Sequence, residues 1–212
     1  SWSVLSAGLI AGLSTGFIST TWFSAVEGEV YSMSTMFTAM TVWAAFKWYY
    51  LEDRPENDKW LIFAVFATGL STGVHLLSLL AFPTIAMLYY FKRFERPGFF
   101  GMLLAAAAGV VAIFLFQVLI ITGIPGLWSF FELQMVNSFG LPFHSGLIPT
   151  IVVICLLGYY GLRYFQRRGN DLMHKVVFTM LLLVVAYSTV GIVLIRANAK
   201  TPINMNDPYD VV

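Results

Sequence analysis

The stretch WLIFAVFATGLSTGVHLLSLLAFPTIAMLYYF, residues 60–91, decides how often the chain crosses a membrane. A spanning helix needs about 20 mostly apolar residues, and this run is too long for one perpendicular crossing. His75 interrupts it in GVHLLS, and Pro83 removes a helix N–H further on. A hairpin satisfies both facts: two short helices, residues 60–74 and 76–91, meet in a tight turn at one membrane face. Residues 2–23, 30–50, 99–122, 147–165 and 175–195 are long and apolar enough to cross, or nearly so. The expected fold is therefore an all-α integral membrane protein with about seven transmembrane helices, one pair of them a short broken hairpin.

The basic residues test that count, because Lys and Arg concentrate in cytoplasmic loops. With seven crossings, loops 51–59, 92–98 and 166–174 share one side. That side and its helix ends carry Lys47, Arg54, Lys59, Lys92, Arg93, Arg96, Arg163, Arg167, Arg168 and Lys175, which leaves only Arg196 and Lys200 of the 12 basic residues for the other. The basic side is expected to be cytoplasmic. A single crossing over residues 60–91 would misplace the later loops and abolish the asymmetry.

Composition agrees. Of 212 residues, 58% are hydrophobic and 11% charged, against roughly 25% charged in soluble domains. Too few polar side chains exist to cover a soluble globule of this size, and the bilayer is the fitting solvent. A net charge of +1 without a basic stripe argues against nucleic acid. The lone Cys155 excludes an intrachain disulfide and a cysteine metal cluster; in TIVVICLLGYYG it is expected to be a buried, inert thiol. No P-loop, HExxH or GxSxG occurs, and His75, His144 and His174 lie far apart, so no metal and no cofactor is assigned. The chain begins SWSVLSAGLI and ends NDPYDVV, which reads as the interior of a longer polypeptide. Residues 1–196 are expected to form one polytopic domain, and residues 197–212 an outer tail leading onward.

On the outer face, carboxylates and imidazoles adjoin apolar runs. Glu27 and Glu29 stand two apart, about 200° around a helix, so they make no shared pair unless extended. Glu29 precedes VYSMSTMF and suits the positive end of the next helix dipole. An ionisable group at membrane depth, such as His75, marks a functional site by default, and imidazole can donate to a phosphate or carry a proton. The outer loop 123–146, GIPGLWSFFELQMVNSFGLPFHSG, opens on a Pro-Gly turn. It continues as an expected interfacial helix with Trp128, Phe130 and Phe131 among Glu132, Gln134 and Asn137, and His144 follows. GLSTG occurs twice, at Gly12 to Gly16 and Gly69 to Gly73, and with Gly8 the first copy forms a small-residue stripe suited to close helix packing.

Four motifs appear in order: EVYS from Glu29, GLSTGVH ending at His75, ELQMVNSFGLP from Glu132, and IRANAKTPINMNDP from Ile195. Together they resemble a bacterial family of polytopic membrane proteins related to the eukaryotic transmembrane protein O-mannosyltransferases, in the GT-C glycosyltransferase superfamily. The resemblance implies a GT-C-like fold in a bacterial inner membrane, with its site on the periplasmic or lumenal face. It implies transfer of a sugar, mannose first, from a polyprenyl-phosphate donor to a protein Ser/Thr or a glycan, so membrane lipid, donor and acceptor are the expected partners. The family's acidic motif D-x-G-E-F and the following H-P-P-G do not occur here, which places the main catalytic acid upstream. The positions carried over are Glu29 and His75, then Glu132, Asn137 and His144, and last Glu27. Two other classes stay open, a non-catalytic scaffold subunit of a membrane complex and a transporter or lipid flippase, for which a broken hairpin is a known device.

Overall fold

A computed structural model describes residues 2–27 and 30–192; Glu29 and the tail from Ile195 lie outside the described residues. Among the described residues every regular element is helical. The long helices are α1 (Trp2–Phe17), α2 (Ser19–Val26), α3 (Val30–Tyr50), α4 (Asp58–Thr72), α5 (Ala81–Arg93), α6 (Phe99–Phe116), α7 (Gly123–Phe139), α8 (Leu147–Arg167) and α9 (Asp171–Tyr187). Three spans are long and apolar enough to cross a membrane: Phe99–Phe139, Leu147–Arg167 and Asp171–Val190; α1 with α2 makes a fourth if the bent pair counts as one. The other helices fall short of about 20 apolar residues: α4 has 15 and α5 has 13, while the 21-residue α3 carries Ser32, Ser34, Thr35, Thr38 and Thr41.

The first expected span, 2–23, is bent by 54° between α1 and α2. Ile18 takes an extended conformation there, between Gly16 and the hydroxyl-rich Ser19, Thr20 and Thr21, a setting in which helices kink. The hairpin in residues 60–91 forms where the sequence places it. Helix α4 ends at Thr72, His75 is extended, and a 3-10 turn Leu76–Leu80 leads into α5. Pro83 causes no break, because it falls in the first turn of α5, where its missing N–H would have no helical partner.

Three expectations need correction. No Pro-Gly turn opens the segment after residue 122. The helix continues from Phe99 to Phe139 through a π turn, Gln117–Thr122. Pro125 cannot donate to the carbonyl of Ile121 four residues back, and the Tyr187 hydroxyl donates to that oxygen instead, at 3.2 Å. Cys155 is exposed on the surface of α8 rather than buried, because the buried positions of that helix are Thr150 and Gly158. Helix α9 also begins earlier than residue 175: the Asn170 side chain accepts from the Met173 N–H at 3.0 Å and caps it.

Small residues set the packing. Ala44 and Ala45 of α3 meet Ala64 of α4 and Ile85 of α5 in one buried cluster, and Leu79, Phe82, Phe116, Ile120 and Leu183 form another. The second GLSTG packs α4 on α9: a Cβ at Gly69 would stand 2.6 Å from Leu183 Cδ2 and 3.1 Å from Ala186 Cβ, and one at Gly73 would stand 2.8 Å from Thr189 Oγ1. The first copy, on α1, has nothing within 4 Å of any such Cβ. The two copies therefore separate experimentally. Gly69→Val is expected to cost about 2 kcal/mol by overpacking, whereas Gly12→Val changes stability by less than about 0.5 kcal/mol. Thermal unfolding in detergent compares them, and equal effects would contradict the α4–α9 contact.

Candidate functional site

Helix direction sorts the chemistry by bundle end. Helix α4 runs from Asp58 to the His75 turn, and α9 with the 3-10 turn that follows it (Ser188–Val190) runs alongside from Lys175 to Thr189, since Lys175 meets Asp58 and Thr189 meets Gly73. Helix α8 runs antiparallel to α9 through a short turn, which brings its start, at Gly146, to the His75 end. Along α4 alone the two ends are separated by about 21 Å at 1.5 Å per residue.

At the His75 turn, Gly73 and Val74 let the chain reverse, and the His75 N–H donates to the Ser71 carbonyl at 2.7 Å. Ring atom Nδ1 accepts from the Leu77 N–H at 3.2 Å, so in the neutral ring the proton sits on Nε2, the nitrogen able to donate to a ligand. The ring lies 5.7 Å from that of Tyr31, tilted by 44°, which ties the turn to the first turn of α3. Ser78 Oγ donates to the His75 carbonyl at 2.8 Å. Ser78 also lines a cleft of about 340 Å³ between α3 and the start of α5, whose other hydroxyls are Ser34, Thr38, Thr41 and Thr84. Thr38 donates to the Ser34 carbonyl at 2.9 Å, and Thr41 pairs with Thr68 at 3.3 Å. These bonds give the Thr38, Thr41 and Ser78 hydroxyls partners within an apolar wall.

A second locus forms at the elbow between α7 and α8. Glu132 is fully buried; Oε1 accepts from the His144 N–H at 2.5 Å and Oε2 from the Gly146 N–H at 2.8 Å. His144 adopts φ +71°, a left-handed conformation unusual for a side-chain-bearing residue, and its ring lies 6.3 Å from Trp128. Only glycine fits at 146, where a Cβ would stand 2.3 Å from the Glu132 nitrogen. Glu132 therefore shapes the loop between α7 and α8 through both its oxygens. Asn137 is exposed on the same helix, and Glu27 is exposed where α2 ends.

The structure thus groups His75 with Tyr31 and the hydroxyl cleft, and Glu132 with His144. The His75 turn packs among α3, α4, α5 and α6, while α7 packs on the π turn and α8. They make two loci at one end of the bundle rather than one constellation. Among the described residues no group of three His, Cys, Asp or Glu is placed to hold a metal ion.

A third cluster, at the opposite end, escaped the sequence reading. Asp58, almost buried, accepts from Trp48 Nε1 at 3.1 Å, Arg93 at 3.0 Å and Lys175 at 2.6 Å. Arg93 also pairs with Asp53, and Lys92 donates to the Trp48 and Leu51 carbonyls while lying 4.4 Å over the Trp48 ring. Burial raises the Asp58 carboxyl, but the bonds from Lys175 and Trp48 and the charges of Lys175 and Arg93 outweigh it and hold the group below its ordinary value. Burial pushes Lys92 down. A carboxylate heading an apolar run was a visible signal; its partner 117 residues away was not.

Residues 1–98 match the family model described as "Protein O-mannosyl-transferase TMEM260 N-terminal domain". This part of the chain is related to that domain. No curated protein and no solved structure matches the chain. The TMEM260-like segment runs from α1 to the loop after α5, so it takes in the His75 turn, the hydroxyl cleft and Asp58, while Glu132 and His144 lie beyond it.

Proposed function

We propose that the chain is the membrane domain of a GT-C-type glycosyltransferase, which moves a sugar, mannose first, from a polyprenyl-phosphate donor to a Ser/Thr hydroxyl or a glycan. The TMEM260-like match over residues 1–98 is the observation that carries this reading, and the His75 turn within it supplies the chemistry. Seven crossings follow if α1 with α2 counts as one bent span, α3, α4 and α5 cross as a sheltered group, and α6, α8 and α9 complete the set. The His75 end is then periplasmic or lumenal and the Asp58 end cytoplasmic, in keeping with the distribution of basic residues.

In this reaction the acceptor oxygen bonds to C1 of the sugar as the bond from C1 to the phosphate oxygen breaks. The acceptor proton passes to a carboxylate, and the polyprenyl phosphate departs carrying the electron pair. His75 Nε2–H is the donor aimed at that leaving phosphate, a stabilisation that grows with the negative charge. Glu29, which precedes α3 in the sequence, supplies a further carboxylate to that face in this proposal. Glu132 holds the outer loop, with His144 and Asn137 presented on it, and the catalytic carboxylate comes from a preceding segment.

The test supplies membranes containing the intact protein with radiolabelled polyprenyl-phosphate mannose and a hydroxyl-bearing acceptor protein. Transfer is expected, and His75→Ala or Glu29→Ala should lower it at least tenfold at unchanged protein level. Transfer that both substitutions leave unchanged would remove these residues from the site. Absence of transfer with any polyprenyl-linked sugar would overturn the enzyme in favour of a scaffold or transporter.

A further inference from the structure

We propose that the cleft between α4, α5, α6 and α9 holds an acyl chain of an anionic phospholipid, with its phosphate against Arg93 and Lys175. The cleft encloses about 620 Å³, within the range of about 300–1,000 Å³ usual for ligand sites. Leu61, Phe82, Leu115, Phe116 and Met180 make its walls, and Asp58, Arg93 and Lys175 close one end. Such a space in a membrane-embedded bundle is filled by hydrocarbon, and the end group selects which lipid enters.

Charge makes that selection. Asp58 spends both oxygens on Trp48, Arg93 and Lys175. Arg93 has five N–H donors and gives one to Asp53 and one to Asp58; Lys175 has three and gives one to Asp58. Their side chains stay 29% and 35% exposed, so the remaining donors can reach a headgroup. Lys92 rests on two neutral carbonyls. Of the charged residues that line the cleft itself, Arg93 and Lys175 are cations and Asp58 is the carboxylate, so the lining carries a positive surplus. Guanidinium and ammonium groups bind a phosphodiester well, and basic pockets between helices are where anionic headgroups lodge. A zwitterionic lipid would bring its own cation against the same surplus. The site lies at the far end of α4 from His75, so it is separate from the proposed reaction centre.

The intact protein, purified in a non-ionic detergent, would be titrated with dioleoyl phosphatidylglycerol or dioleoyl phosphatidylcholine and observed by native mass spectrometry. The first phosphatidylglycerol is expected to bind at least fivefold more tightly than phosphatidylcholine. Lys175→Gln should reduce that preference below twofold. Ala112→Phe fills the cleft from α6 and leaves every charge in place; it should weaken the first phosphatidylglycerol at least fivefold. Equal binding of the two lipids by the unaltered protein overturns the proposal whether or not the variants fold. So does a preference that survives Ala112→Phe, because it would then arise from diffuse surface charge.

Discussion

Asp58→Asn is expected to destabilise the bundle by about 3–5 kcal/mol, the usual result of breaking one side of a buried ion pair. The amide keeps the shape of the carboxylate but leaves Arg93 and Lys175 facing each other without their shared anion. Four helices lose their common tie, because Trp48 belongs to α3, Asp58 to α4, Arg93 to α5 and Lys175 to α9. The apparent melting temperature in detergent should fall by on the order of 10 °C. Adding Lys175→Met to Asp58→Asn should recover part of the loss, since it removes a stranded cation; no recovery would mean that the ion pair is not the cause. The pH dependence has a definite sign. The folded carboxyl titrates below its ordinary 3.8, so its contribution is fully present above that value and is lost as pH falls through the lowered one. Between pH 5 and pH 8 the difference between the two proteins should stay flat.

Gly146→Ala carries the second large expectation, a loss of about 3 kcal/mol with the elbow opened. The new Cβ would stand 2.3 Å from the Glu132 nitrogen and 2.5 Å from its Cα. Both are backbone atoms that cannot turn aside. Separating them costs the Glu132 carboxylate its bonds to the His144 and Gly146 amides, and a buried carboxylate is left short of donors. Gly140→Ala provides the contrast. Gly140 has φ +65° but open space around it, so only the backbone preference is lost, about 1 kcal/mol. Limited proteolysis of residues 140–146 together with melting curves would separate the two substitutions. Similar behaviour of both would show that the carboxylate does not hold the elbow.

The hairpin was legible because it rests on local chemistry. A run too long for one crossing, with a histidine within it and Gly73 two residues before the histidine, leaves few other conformations. Helix α9 could have been started correctly on the same grounds, since Asn170 followed by Asp171 is an ordinary helix opening. The continuation of α6 into α7 was hidden because Pro-Gly is a turn signal in isolation. What overrides it is the hydroxyl of Tyr187, 66 residues further on, and no window of sequence contains both. Asp58 is similar: its charge was visible, but its partners come from α5 and α9. Cys155 misled for a different reason. An apolar run means burial in a soluble core, but in a bilayer the same run can face lipid. Of the candidate site, the His75 turn and the helical character of the stretch around Glu132 were readable. The use of Glu132 as a clamp on its own loop depends on a reversal of chain direction that composition does not encode.

The π turn at residues 117–122 has a consequence for helical phase. Each residue of a helix rotates the chain by about 100°, so the turn sets which way every side chain of α7 points relative to the bundle. Removing one of those residues would leave α6 seated and α7 helical, yet would aim Glu132 roughly a quarter-turn off the amides it now holds. The loop after α7, with His144 on it, is therefore indexed to the helix bundle like a key cut to one angle. Insertions or deletions in this short turn would change what the loop presents without touching any residue of the loop itself.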